Sequence, residues 1–135
     1  METKRRILHI EDSLDDQDRV HHACVSIPGF EIELISCNSG RSGIALFRNA
    51  HEQRKRFDLV IVDGNLMDME GNQVIAMLRS NPGTLPPVIA YVGDNLITPE
   101  DWSVVGVTEV ILKPAIGTLA ATITRLLESA PPAHS

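Results

Sequence analysis

Four charged residues of this chain stand where an apolar run stops. Ile7-Leu8-His9-Ile10 runs into Glu11-Asp12, Leu59-Val60-Ile61-Val62 into Asp63, and Val110-Ile111-Leu112 into Lys113-Pro114. Brought together, three carboxylates repel one another and stay ionised only beside positive charge. Lys113 supplies one such charge, and a hard divalent cation is the other natural partner. Mg2+ takes an octahedron of oxygens: one or two carboxylates, a backbone carbonyl, and waters or phosphate oxygens. An aspartate held beside Mg2+ and a lysine can attack a phosphoryl group, giving an aspartyl phosphate. The metal and the lysine would neutralise charge on the transferring oxygens.

Whether these residues meet depends on the elements that carry them. Residues 6–10 form a short apolar strand. Ser13 can cap the helix that follows, with Asp16 at capping-box spacing. Leu14, Val20, Cys24 and Ile27 make a loose helical stripe until Pro28-Gly29 stops it. Residues 31–35 alternate, as in a half-exposed edge strand. Ser39 starts a second helix carrying Ile44, Phe47 and Ala50. Residues 58–62 are apolar on both faces, and Gly71-Asn72 opens a third helix that Asn81-Pro82-Gly83 ends. Residues 87–92 form another buried strand. Thr98-Pro99-Glu100-Asp101 combines a capping threonine, a first-turn proline and dipole-matched acids, which predicts a fourth helix. Residues 110–112 form the last strand, and Thr118 can cap the last helix, whose Leu119, Ile123, Leu126 and Leu127 face the core.

Strands apolar on both faces, alternating with amphipathic helices, predict a parallel sheet covered on both sides. Five such units predict an α/β, flavodoxin-like doubly wound (βα)5 domain with a five-stranded parallel sheet in strand order 2-1-3-4-5. Ligands of such folds gather at the carboxyl ends of the strands. Strands one and three are then neighbours, so Glu11, Asp12 and Asp63 crowd together and Lys113 reaches in from the far side.

Glu11-Asp12, Asp63, Gly71 eight residues further on and Lys113-Pro114, in this order and each at its place, resemble the response-regulator receiver domain of two-component signalling. The resemblance covers roughly residues 5–128. It implies that Asp63 is the phosphoacceptor and that Glu11 and Asp12 are the metal-binding pair, Asp12 directly and Glu11 through water. It implies that Asn65 offers a backbone carbonyl to Mg2+, and that Lys113 contacts the phosphoryl group. A cis bond before Pro114 follows from the same likeness, as does room for the phosphoryl donor at Gly93. The implied partners are a histidine kinase or histidine phosphotransfer protein and an unknown downstream protein. A homodimer through the fourth predicted helix, the fifth strand and the last helix is also implied. The expectation is a phosphoacceptor signalling domain that assists its own phosphorylation and dephosphorylation, not an enzyme, over residues 1–128, with 129–135 as a flexible tail.

The chain departs from that family at its switch. Val92 stands where receivers usually carry Thr or Ser, Val110 where they usually carry Tyr or Phe, and Met67 where many have proline. Tyr91 is one residue from the switch position, but neighbouring strand residues face opposite sides. A hydrogen bond to a charged group is worth roughly 1.5–3 kcal/mol. If that bond forms only in the active state, its loss weakens the population shift by about one to two orders of magnitude. The departures thus bear on transmission rather than on chemistry. They support one alternative: a pseudo-receiver acting as a phosphorylation-independent protein-interaction module.

Other candidates read more plainly. Asp15, Asp16 and Asp18 suit the polar face and first turns of helix one. Asp68 and Glu70 read as exposed loop acids, His9 as a hydrogen-bonded core residue, and Trp102 as partly buried packing. His21 and His22 are adjacent and diverge on a helix. A phosphatase of the haloacid dehalogenase type would have a second Asp two residues after the nucleophile, where this chain has Asn65. A flavin site would need a Ser/Thr-Gly loop after strand one. The net charge of −6 argues against nucleic-acid binding. No apolar stretch approaches the length of a membrane span. Cys24 and Cys37 lack metal-ligand spacing and read as free thiols of a cytoplasmic protein.

Overall fold

Five apolar runs, most of them needing cover on both faces, account for the architecture. A computed structural model describes residues 3–80, 85–93, 102 and 105–133. In chain order it contains β1 (Lys4–Ile10), α1 (Leu14–Val25), β2 (Glu31–Cys37), α2 (Gly40–Glu52), β3 (Leu59–Val62), α3 (Gly71–Arg79), β4 (Val88–Val92), β5 (Glu109–Leu112) and the helix numbered α4 here (Ile116–Glu128). The strands form one five-stranded sheet in the order β2-β1-β3-β4-β5, every pair parallel. This is the flavodoxin-like topology that the sequence predicts. The helix start at Thr98-Pro99 and the helix stop at Asn81-Pro82-Gly83 lie outside the described residues, as do His134 and Ser135 of the tail.

Strand alternation divides the core in two. Leu8, Ile10, Val60, Val62, Val88, Ala90 and Val92 face α2, α3 and Trp102. Ile7, Leu59, Ile61, Ile89, Tyr91 and Ile111 face α1 and α4. Full burial of one aliphatic side chain contributes about 1.5–3 kcal/mol. Every residue of β3 and β4 is buried, so these strands are the fixed centre of the sheet. By contrast, β2 alternates between exposed and half-buried residues, as an edge strand does. Past α4 the chain crosses the opposite end of the sheet, where the Ala133 N–H donates to Asp58 Oδ1 at 2.6 Å.

Two local expectations change. Leu14 is 74% exposed, and the buried stripe of α1 and its C-terminal end is Val20, Ala23, Cys24 and Ile27. Leu14 lies on the outward side of the first turn of α1, whose inward residue is Asp16. Thr118 does not cap α4. The helix starts at Ile116 directly after the Lys113-Pro114 turn, and the Ala115 carbonyl accepts the Leu119 N–H at 2.9 Å. Thr118 is therefore already inside the first turn.

His9 is buried as expected, but neither ring nitrogen has a hydrogen-bond partner among the described residues. Burial, reinforced by the nearby charge of Lys113 and opposed by Asp16, pushes its pKa down to about 3 from 6.5. The neutral ring is thus full folding stability above pH about 6.5, lost as the pH falls from there towards 3 at up to roughly 1.4 kcal/mol per unit. His9→Leu is expected to flatten this loss. Urea midpoints in chelator at pH 7.5, 6.5 and 5.5 should fall less steeply for the variant; parallel slopes would contradict the burial of a neutral imidazole.

Candidate functional site

The carboxyl ends of three strands are held in place by backbone bonds that run one residue past the strand. Glu11 N–H donates to Cys37 O at 2.9 Å, Asp63 N–H to Ile10 O at 3.0 Å and Lys113 N–H to Val92 O at 2.6 Å. The pairing of Ile7 with Leu59 and of His9 with Ile61 carries on to bring Glu11 beside Asp63. Both continue the face that packs on α1 and α4, and Lys113 continues it from Ile111. Sheet alternation thus delivers all three charges to the same rim.

Lys113 joins them. Its Nζ lies 2.9 Å from Glu11 Oε1, 3.1 Å from Asp63 Oδ1 and 2.7 Å from Asp16 Oδ2. Burial works against the lysine's charge, but its hydrogen bonds to Asp16 and Glu11, with the charges of Glu11 and Asp63, hold its pKa above the usual lysine value. Glu11 is fully buried. Burial pushes its pKa up to about 7; the Lys113 hydrogen bond opposes this and the charge of Asp63 adds to it.

The acids fit a divalent cation. One carboxylate oxygen each from Glu11, Asp12 and Asp63 lie within 4.8 Å of one another. Both Glu11 oxygens are already engaged, Oε1 by Lys113 and Oε2 by the Ser13 N–H at 3.2 Å. Asp12 makes no hydrogen bond or ion pair with the described residues, so its carboxylate is the most available ligand of the three. Asn65 is exposed in the loop just beyond, bridged to Glu70. Gly71 closes that loop: its N–H donates to Gly64 O at 3.0 Å. The Lys113–Pro114 peptide bond is cis. A Cβ on Gly93 would meet none of the described residues within 4 Å, so they leave space beside it.

At the two positions where the resemblance implies a switch, the valines part company. Val92 is 2% exposed and packs beside Gly64 and Trp102. Val110 is 39% exposed. Trp102 is buried, not partly exposed, and its Nε1 has no partner among the described residues. Tyr91 faces away from Val92, as alternation requires. That face carries Lys113, whose Nζ stands 5.6 Å from the Tyr91 ring centroid. The tyrosine is therefore no substitute for the missing hydroxyl, yet it supports the lysine from below. Burial, and next the charge of Asp16, raise its pKa.

Two acids do more than the sequence suggests. Asp16 is not just polar surface: it is buried and pairs with both Lys113 and Arg19, each at 2.7 Å. Burial opposes its charge, but Lys113 and then Arg19 hold its pKa below the usual carboxylate range. Asp68 is an exposed loop acid, and it accepts from the N–H groups of Gly40 at 2.8 Å and Arg41 at 3.0 Å. It satisfies the open N-terminus of α2 and ties the loop after Asp63 to that helix. Those N–H donors lower its pKa. In both cases the only local signal was an acid near a helix start.

The sequence matches no protein-family model and no curated protein. Solved structures do match. Chemotaxis response regulator CheY4 of Vibrio cholerae is 26% identical with a TM-score of 0.72, over 92% of this chain and 99% of that one. The Mn2+-bound form of response regulator Rcp1 is 22% identical with a TM-score of 0.74, over 95% of this chain and 98% of that one. The receiver domain of the histidine kinase CKI1 from Arabidopsis thaliana is 20% identical with a TM-score of 0.77, over 93% of this chain and 91% of that one.

Proposed function

We propose that this chain, a CheY-like receiver domain in fold, accepts a phosphoryl group on Asp63 from a histidine kinase or histidine phosphotransfer protein and signals through altered protein binding. One observation carries the reading: Asp63 and Glu11, from separate strand ends, share the Lys113 ammonium at 3.1 and 2.9 Å, with Asp12 beside them. An Asp63 carboxylate oxygen forms the bond to phosphorus as the bond from phosphorus to the donor imidazole nitrogen breaks. The imidazole leaves with the electron pair. Lys113 then turns an N–H to a phosphoryl oxygen, and the space beside Gly93 admits the donor. Mg2+, held by Asp12, Asp63 and the Asn65 carbonyl with Glu11 through water, would neutralise charge on the transferring oxygens. That a response regulator of this fold, Rcp1, has a Mn2+-bound form supports a divalent ion for this chain.

Acetyl phosphate with Mg2+ is expected to place one hydroxylamine-labile phosphoryl group on the chain, and EDTA to prevent it. No label, or a label that resists hydroxylamine, would overturn the reading.

Buried Val92 and exposed Val110 favour a second reading, a module that binds its partner regardless of phosphate. Amide NMR with Mg2+ and beryllofluoride separates the two. A spectrum left unchanged supports the module, and shifts spreading beyond the contact residues reject it.

A further inference from the structure

Lys113 has three N–H bonds and three carboxylate partners, and the nearest partner is one that the proposed reaction does not use. Asp16 reaches it through an incomplete helix cap. Ser13 Oγ accepts the Asp16 N–H at 3.3 Å, which is half of a capping box. The other half does not form, because the Ser13 N–H donates to Glu11. The Asp16 carboxylate is left to bridge two cations, Lys113 through Oδ2 and Arg19 through Oδ1. The Arg19 side chain is 49% exposed. Asp63, Lys113, Asp16 and Arg19 thus form a run of alternating charge from the strand end to the solvent face of α1.

A phosphoryl group on Asp63 draws the Lys113 ammonium towards phosphorus and loosens its hold on the other two acids, Glu11 and Asp16. Glu11 is fully buried, has no second side-chain cation among the described residues and would meet the proposed Mg2+ only through water, so it loses more than Asp16 when the lysine moves away. Asp63 loses its own charge when its oxygen bonds to phosphorus, and the negative charge at that end of the cluster then sits on the phosphoryl oxygens. Of the three acids, Asp16 alone has a second side-chain cation among the described residues, Arg19, so its release costs least.

Resting on the phosphoacceptor reading, we propose that Asp16 is a positioning residue that couples Lys113 to α1. Phosphorylation of Asp63 draws the ammonium off Asp16, Asp16 closes on Arg19, and the first turn of α1 carries the change to the surface. This route does not pass through Val92 or Val110.

The test is a beryllofluoride titration of the full chain with Mg2+, followed by 1H-15N NMR. In the unsubstituted chain, amides of residues 14–18 and the Arg19 Nε–H are expected to shift together with those around Asp63 and Lys113. In Asp16→Asn the amides around Asp63 and Lys113 still shift, while the α1 shifts become at least about threefold smaller. The inference is overturned if the α1 shifts are the same in Asp16→Asn, or if α1 stays silent in the unsubstituted chain while the site responds. The second outcome needs no variant, so a folding defect in Asp16→Asn does not shield the proposal. A site that does not respond at all overturns the phosphoacceptor reading itself, and this inference with it.

Discussion

Asp63→Asn is expected to end labelling by acetyl phosphate and yet to stabilise the metal-free chain, whereas Lys113→Met is expected to slow labelling about a hundredfold and to destabilise it. The opposite signs follow from one geometry. Three buried carboxylates surround one ammonium. Removing an acid relieves repulsion, and Glu11, whose pKa is raised by burial and by the charge of Asp63, gains most. Asp63 holds the longest of the three contacts, so little attraction is lost with it. A close like-charge pair costs about 1 kcal/mol at the dielectric of bulk water and more when buried, so about 1 kcal/mol is the lower end of the gain. Removing the lysine leaves Glu11, Asp16 and Asp63 without their shared cation. Breaking a buried pair on one side costs about 3 kcal/mol or more. Mg2+ should narrow that deficit, because it restores a cation to the acids. Urea midpoints with EDTA and with Mg2+, set beside label incorporation, check all of this. Equal destabilisation by the two substitutions would contradict the shared-ammonium site.

The large features were legible because they follow from local pattern. Apolar runs marked the strands, and their ends marked Glu11, Asp63 and Lys113. Alternation correctly set Tyr91 opposite Val92. It did not say which face holds the lysine, because that depends on the register of β5 against β4. Asp16 was hidden for a related reason. Its partner Lys113 is 97 residues away, and the local rule for an acid in a first turn gave it a sufficient role already. Asp68 caps a helix 28 residues upstream, which no pattern within its own loop signals. For His9, burial followed from the strand, but hydrogen bonding depends on which groups line the opposite face. The pattern of the chain shows what lies along an element, and pairing across elements needs the fold.

Gly71→Ala is expected to be as damaging as any substitution outside the charged cluster. A Cβ at this position would stand 2.3 Å from Asp63 O, 3.2 Å from Asp63 C and 3.1 Å from Gly64 Cα. All three are backbone atoms, so no side chain can rotate away. The obstacle is the backbone of the proposed phosphoacceptor, itself fixed to β1 by the Asp63 N–H bond to Ile10 O. Relief needs either the bond from Gly71 N–H to Gly64 O to break or Asp63 to move. Overpacking of this kind costs about 1–3 kcal/mol, and more when the neighbour is backbone. A displacement of about 1 Å in a reacting group can cost roughly a hundredfold in rate. Gly117→Ala is the control. It lies in α4 with none of the described residues within 4 Å of the added carbon, so it should stabilise by about 0.5–1 kcal/mol through helix propensity and leave labelling unchanged. Gly71→Ala that melts and labels like the unsubstituted chain would show that the loop after Asp63 is not closed by this contact. A loss of labelling larger than the loss of stability explains would show that glycine at 71 sets the position of Asp63, and so why an apolar strand can end in a placed carboxylate.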